Sequence, residues 1–539
     1  MRLSGFFSVC LTTALMCIVE RMNSQSSYDI LIGQNFRIYP SAVTQSEPFI
    51  VRHPANPDIL FASANTINLA NGFVSEGVYV STNAGATWFG SDTCKGPPVT
   101  FHRGDPAIAI DKDGRFILTR LGSSPGLYGH FSTDNGITWS SHRTLALDDQ
   151  GRGSLATDGV PTSPFYGRTY SVWIRFSPPY PVWFSSTTDG GNSWGVAAAI
   201  NSPTQRGQGG DIAIGPEGAL NICWAGVTGV SPFTEDVVGF ARSTNGGTSW
   251  STQEGAFDMN GIAGVFPSKS NIRVNGLPRI AVDNSSSPRN GWLYVVTTER
   301  SLSPAGADPD IVLHRSTNNG ATWSPGIRVN QDALNNGKIQ FFPAVHVDGA
   351  GGLNVAYYDD RATTGDSSGV FLSRSTDGGV SWADYGISDR NFKPQPIGGL
   401  GAGYQGDNIA MTSVGDTLRP VWMDNRTGIY QLWTSVVKIS ELGTSVPEGP
   451  MPLAFGLDQN YPNPFNPVTM INFSVGTYGH TSLQVFDILG REVATLVDRQ
   501  HSAGNHRVEF NATGLASGVY IYRMNAGGES FSRMMLLAR

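Results

Sequence analysis

The chain has 539 residues, among them 65 Gly, 32 Pro and 12 Trp, and 15% of its residues are charged. That length exceeds one compact core unless a repeat carries many strands in a single domain, and the Gly-, Pro- and Trp-rich balance excludes a helical or disordered chain in favour of a turn-rich all-β one. A formal net charge of -7 without any Lys/Arg-rich run excludes nucleic acid and an anionic membrane surface as expected partners.

In chain order, Arg2, the apolar run from Phe6 to Val19 and the small residues Ser24 and Ser26 read as a secretory signal over residues 1–26. The run is short for a bilayer span and nothing later approaches about eighteen consecutive apolar residues, so no transmembrane segment is expected in the mature chain. Removal of Cys10 and Cys17 leaves Cys94 and Cys223 in non-adjacent repeats, where two buried free thiols are expected rather than one disulfide.

Residues 28–440 are organised by one octapeptide that recurs as STNAGATW from Ser81, STDNGITW from Ser132, TTDGGNSW from Thr187, STNGGTSW from Ser243, STNNGATW from Ser316 and STDGGVSW from Ser375. The starts are 51, 55, 56, 73 and 59 residues apart, a period suited to one four-stranded unit with variable loops. The third residue of each octapeptide can accept hydrogen bonds from the turn's own amides, the glycine permits positive φ, and the tryptophan can lie between neighbouring units. The octapeptide resembles the Asp-box, or BNR, repeat of the sialidase-like propeller superfamily. The same frame surrounds every copy: a strand such as PAIAID (106–111) or PRIAVD (278–283), a second such as FILTR (116–120) or NVAYYDDR (354–361), a third, the octapeptide and a fourth. A seventh copy, built on DNIAM (407–411) and RPVWMDNR (419–426), has no octapeptide and lacks a fourth strand; NFRIYPS (35–41) aligns with GIRVNQD (326–332) and can supply it, closing a ring. The expected fold class is all-β, a seven-bladed β-propeller with a six-bladed alternative, followed by a small immunoglobulin-like β-sandwich.

A Pro/Gly-containing linker at 441–452 precedes that sandwich, expected over 453–539 from SLQVFDI, HRVEFNA and GVYIYRM. The segments NPFNP (463–467), FDILGREV (486–493) and LASGVYIYRM (515–524) resemble the C-terminal sorting domain of the type IX secretion system. The resemblance implies a partner, the type IX machinery, and passage through the periplasm of a Gram-negative bacterium to secretion or outer-surface attachment.

Loops entering the first strands and leaving the second strands share one rim of the central channel, where function is expected. The rim is rich in polar residues for so weakly charged a chain, among them Glu47, His102, Arg103, Asp105 and Tyr404. His102 has no second ligand at metal-binding spacing, so neither a metal nor a cofactor is expected. Similarity to the sialidases implies arginines around a sugar carboxylate, a Tyr/Glu pair and a proton-handling Asp. On that basis Asp105, Glu299, Tyr358 and Asp359 are candidate catalytic residues, and Arg300, Arg361, Tyr404, Asp424 and Arg426 are candidate ligand-binding residues. Two features depart from the family. Tyr39 interrupts its Phe/Tyr-Arg-Ile-Pro motif at Phe36 to Pro40, and Arg37 aligns with Arg328 on an outer strand. Moreover, Asp359 with Arg361 and Asp424 with Arg426 stand two apart on a strand, the spacing of a loop-fixing ion pair. The expected function is binding of an extracellular glycan or protein through the rim, with exo-acting glycoside hydrolysis as the alternative.

Overall fold

The computed structural model describes residues 29–30, 35–94, 102–363, 365–442, 455–475, 479–501 and 504–538. The expected signal segment and most of the expected linker lie outside them. Among the described residues 29–442, seven sheets each carry four antiparallel strands side by side, in chain order except for the fourth strand of the last; the sixth adds a short parallel strand, Asp29–Ile30, beside Ala383–Gly386. Their first strands are Thr44–Arg52, Ala107–Ile110, Ser154–Thr157, Arg206–Ile214, Arg279–Val282, Gln340–Val347 and Ala410–Val414. Each of these contacts the next, and Ala410–Val414 contacts Thr44–Arg52, so the sheets encircle an axis as a β-propeller. The seventh sheet takes its fourth strand from the other end of the chain: Phe36 pairs with Thr434 and Arg37 with Trp433. That exchange leaves no open edge where the ring begins and ends.

The octapeptides are turns between third and fourth strands. In each, the first Ser or Thr hydroxyl accepts the glycine amide, as in Gly247 N to Ser243 Oγ at 3.0 Å, and the third residue accepts the seventh amide, as in Ser249 N to Asn245 Oδ1 at 2.9 Å. Gly247 has φ 89°, and an added Cβ there would lie 2.3 Å from the Phe184 ring, so the turn needs glycine twice over. The tryptophans reach the preceding sheet: Trp250 meets Phe184 edge-on at 5.1 Å and Trp323 meets Phe240 at 5.2 Å. Arg115, between the first and second strands of the second sheet, donates to Asp189 O of the next octapeptide at 2.7 Å. The octapeptides therefore lie at the opposite end of the sheets from the segments that enter the first strands.

Two insertions build up that entry end. The longest octapeptide spacing holds a hairpin, Gly264–Phe266 with Ile272–Val274, whose two legs are tied together by Glu235: its carboxylate accepts Ala263 N at 3.1 Å and Gly276 N at 2.8 Å. The glycine-rich segment 397–406, which carries Tyr404, meets the hairpin where Arg273 N donates to Gly403 O at 2.7 Å. Cys94 and Cys223 are buried free thiols.

Residues 456–537 form a separate sandwich of a three-stranded and a four-stranded sheet. Its core includes Phe465, Ile471, Phe473, Val485, Tyr522 and Leu537. Tyr522 fastens the strand-free entry segment, donating from its hydroxyl to Asp458 O at 2.6 Å and accepting Asn460 N at 2.8 Å. Among the described residues no helix is long and apolar enough to cross a membrane.

Candidate functional site

At the entry end of the channel, residues from several sheets converge. Glu47 and Asp105 each precede a proline, Glu47 at a bulge within the first strand of its sheet and Asp105 just ahead of Ala107–Ile110, and each has positive φ, 55° and 54°. A non-glycine residue in this region carries strain of about 1–3 kcal/mol, and such strain concentrates at functional sites. Phe342, before Pro343 in the sixth sheet, shares the conformation with φ 54°, so the kink belongs to the repeat and the carboxylates are what distinguish the first two sheets.

Tyr404 donates its hydroxyl to Glu47 Oε1 at 2.8 Å. Asn65 Nδ2 donates to the Tyr404 hydroxyl at 3.0 Å and to Asp105 Oδ1 at 3.2 Å, while Asn65 Oδ1 accepts the Asp105 amide at 2.5 Å. Arg152, at the entry to the third sheet, places Nη1 3.5 Å from Glu47 Oε2 and its guanidinium 4.9 Å from the centre of the Phe49 ring; the same Nη1 donates to Asn408 Oδ1. Arg273, from the hairpin, is ion-paired with Asp407 and lies 5.1 Å over the Tyr404 ring. Burial, with Asp407 and Asp105 nearby, pushes the Glu47 carboxyl up to about 8 against the opposing pull of Arg152 and Tyr404. Burial also raises Asp105, with Arg152 the strongest influence favouring its charged form. The Tyr404 phenol is raised well above its usual range by burial and by the surrounding carboxylates.

Of these groups Glu47, Asp105, Arg152, Arg273 and Asp407 line a cavity of about 720 Å³, together with Arg103, Asp149, Phe176, Pro232 and Val265, while Asn65 and Tyr404 stand behind the lining. Deeper on the channel wall, outside that lining, Arg279 is lowered to about 10 by burial and by repulsion from Arg152. Among the described residues no three His, Cys, Asp or Glu side chains converge as a metal-binding group.

Of the residues singled out in the sequence, Asp105 and Tyr404 stand in this cluster. Asp105 lines the cavity, as do Glu47 and Arg103 of the rim set, and Tyr404 stands behind Glu47; the other candidate catalytic and ligand-binding residues lie outside the lining. Glu299 is buried beside Thr297, whose hydroxyl donates to it at 2.6 Å, and burial raises it to about 7. Tyr358 is buried, donating to Met423 O at 2.6 Å and accepting Met423 N at 3.1 Å. Arg361 Nε donates to Asp359 at 2.7 Å, and the same guanidinium pairs with Asp384. Arg426 Nε donates to Asp424 Oδ2 at 2.9 Å, its guanidinium also pairing with Asp389 and covering the Trp433 ring at 4.3 Å. Arg300 is exposed, with its backbone amide bonded to Asn260 O at 3.0 Å. Glu47 belongs to the rim set in the sequence without an assigned role. Arg152 and Arg273 were missed; their signals are a place just before a first strand and the long insertion after the fourth octapeptide.

The fold and this site define an exported β-propeller with a polar cavity at one mouth of its channel. Export is set by the tail: residues 459–537 match the secretion system C-terminal sorting domain, the type IX sorting signal that delivers proteins to the outside of the cell. No curated protein sequence is recognisably similar to the chain. Similar solved structures include a protein of unknown function from Dyadobacter fermentans, with 15% identity over 63% of this chain and 97% of that one at a TM-score of 0.41. Others are a PL25 ulvan lyase, with 11% identity over 74% and 95% at 0.46, and the intramolecular trans-sialidase of Ruminococcus gnavus, with 11% over 58% and 89% at 0.37.

Proposed function

We propose that the protein binds an extracellular glycan in the cavity at the channel mouth. The observation that carries this reading is the convergence in one cavity of two carboxyl residues with positive φ, Glu47 buried and Asp105 half-buried, and arginines from other sheets, with a tyrosine behind the lining hydrogen-bonded to Glu47. Carboxylates, guanidinium groups and a phenol are complementary to sugar hydroxyls, which both donate and accept. Perturbed acids gathered in a cleft are candidates for a functional site.

The Glu47–Tyr404 contact beside Asp105 favours a second reading, exo-acting cleavage of glycosidic bonds. With its carboxyl raised to about 8, Glu47 holds a proton at neutral pH that it can deliver to a leaving oxygen. Tyr404 can lose its proton only to an ionised Glu47, so proton donation by Glu47 and attack by Tyr404 belong to different protonation states of the pair. Asp105 is then the second carboxyl that glycosidic cleavage uses.

The test is a glycan array together with a panel of fluorogenic glycosides, including a sialoside, applied to the mature protein, to Glu47→Gln and to Tyr404→Phe. Glycan retention weakened by both substitutions, without turnover, supports binding. Turnover abolished in Glu47→Gln supports the hydrolase. Retention of no glycan, or retention that both variants leave unchanged, overturns the assignment of the cavity.

A further inference from the structure

The cavity's charges are matched before any ligand arrives. Arg273 is ion-paired with Asp407, Arg103 lies 3.9 Å from Asp149, and Arg152 lies 3.5 Å from Glu47. Arg152 has a further counter-charge in Asp105, whose ionised form it favours. The lining thus sets three guanidinium groups against four carboxyl groups. Within the lining, with Glu47 protonated and the other three carboxyl groups ionised the charges cancel, and with all four ionised they sum to one negative charge. An arginine site for an acidic ligand needs the opposite arrangement: guanidinium groups that offer parallel donors to the incoming carboxylate or sulfate and have no carboxylate of their own. Here an anionic sugar must displace an existing partner and accept repulsion from the acid left behind. A sugar hydroxyl faces no such competition. It donates to the free lone pairs of Asp105 or Asp407 and accepts from the outer N–H groups of Arg152 or Arg273, leaving the ion pairs in place.

We propose that the saccharide this cavity takes is uncharged and that acidic sugars are selected against. The inference rests on the glycan-binding reading above and adds the chemical class of the ligand. Asp407 holds the balance on the hairpin side, since its removal leaves Arg273 with an unmatched charge facing the cavity.

The experiment measures binding of the full mature protein to neutral oligosaccharides of glucose, mannose and arabinose, and to oligogalacturonate, a sulfated oligosaccharide and sialyllactose, at low and high salt. A neutral saccharide is expected to bind at least about tenfold more tightly than any acidic one. Its Kd should change less than about twofold between about 50 and about 500 mM NaCl, because no net charge is neutralised on binding. Asp407→Asn, checked for native folding by its circular dichroism, should shift the preference toward the acidic set. Tighter binding of an acidic saccharide, or a Kd for the preferred ligand that rises steeply with salt, overturns the charge class while leaving a glycan site in place. Binding of neither set overturns the glycan reading itself and this inference with it.

Discussion

Replacing Glu47 by Gln isolates the energetic signature of the candidate site. In the unfolded chain this carboxyl titrates near its ordinary value of 4.5, and in the folded protein it is raised to about 8. Between those limits the native state holds a proton that the unfolded state has released, so stability falls as pH rises. The contribution is fully present below the unfolded value and lost as pH passes through the folded one. The slope is at most about 1.4 kcal/mol per pH unit, which accumulates to a ceiling of about 5 kcal/mol across the interval. Glu47 is only 3% exposed, so solvent screening does little to reduce it. Urea unfolding of the full chain and of Glu47→Gln at a series of pH values from about 5 to about 8.5 reads the difference, because Glu299 and Asp359, away from the site, titrate in both proteins and cancel, while Asp105 responds together with Glu47. The wild type should lose stability relative to the variant as pH rises. Parallel profiles would show that Glu47 is not held protonated and would remove the proton donor from the hydrolytic reading.

Other substitutions probe the surrounding structure. Tyr404→Phe removes a hydrogen bond that favours ionised Glu47, so the same pH series should show the Glu47 transition displaced to higher pH, with an overall loss of about 1 kcal/mol. Arg361→Ala leaves Asp359 and Asp384 buried without their cation, and should cost about 3–5 kcal/mol in denaturant unfolding while leaving glycan affinity unchanged in whatever fraction remains folded. Gly247→Val forces a β-branched residue into positive φ against the Phe184 ring, and should lower the thermal midpoint without altering ligand binding. Deleting residues up to Pro40 removes the fourth strand of the seventh sheet; broadened thermal unfolding and self-association through the exposed Gln431–Thr434 edge are the expected outcome by calorimetry and light scattering.

The architecture was legible because the repeat is local chemistry. A Ser or Thr, an Asn or Asp and a glycine at fixed offsets form the same hydrogen-bonded turn wherever they occur, and the missing fourth strand of the last repeat pointed to Phe36 and Arg37 at the other terminus. The site was legible only in part. Asp105 and Tyr404 could be placed at the rim because both precede first strands. Their partners come from other repeats: Glu47 and Asn65 from the first sheet, Arg152 from the third, Arg273 from an inserted hairpin. No spacing in a single repeat records which of them meet across the axis. Asp359 with Arg361 and Asp424 with Arg426 present the same residue types as an active site, but these lie outward at the ends of second strands, where the chain closes them into buried pairs. Sequence distinguishes a paired arginine from an available one poorly, because the counter-ions Asp384 and Asp389 lie 23 and 37 residues further along or back.

The most direct measurement is a crystal structure of the mature protein soaked with a saccharide retained on the array. A sugar ring in the cavity, with hydroxyls within hydrogen-bond distance of Asp105 and of Arg152 or Arg273, is the predicted result. A saccharide seated on the octapeptide end of the channel, or on the outer strands with the cavity filled by ordered water alone, would contradict it.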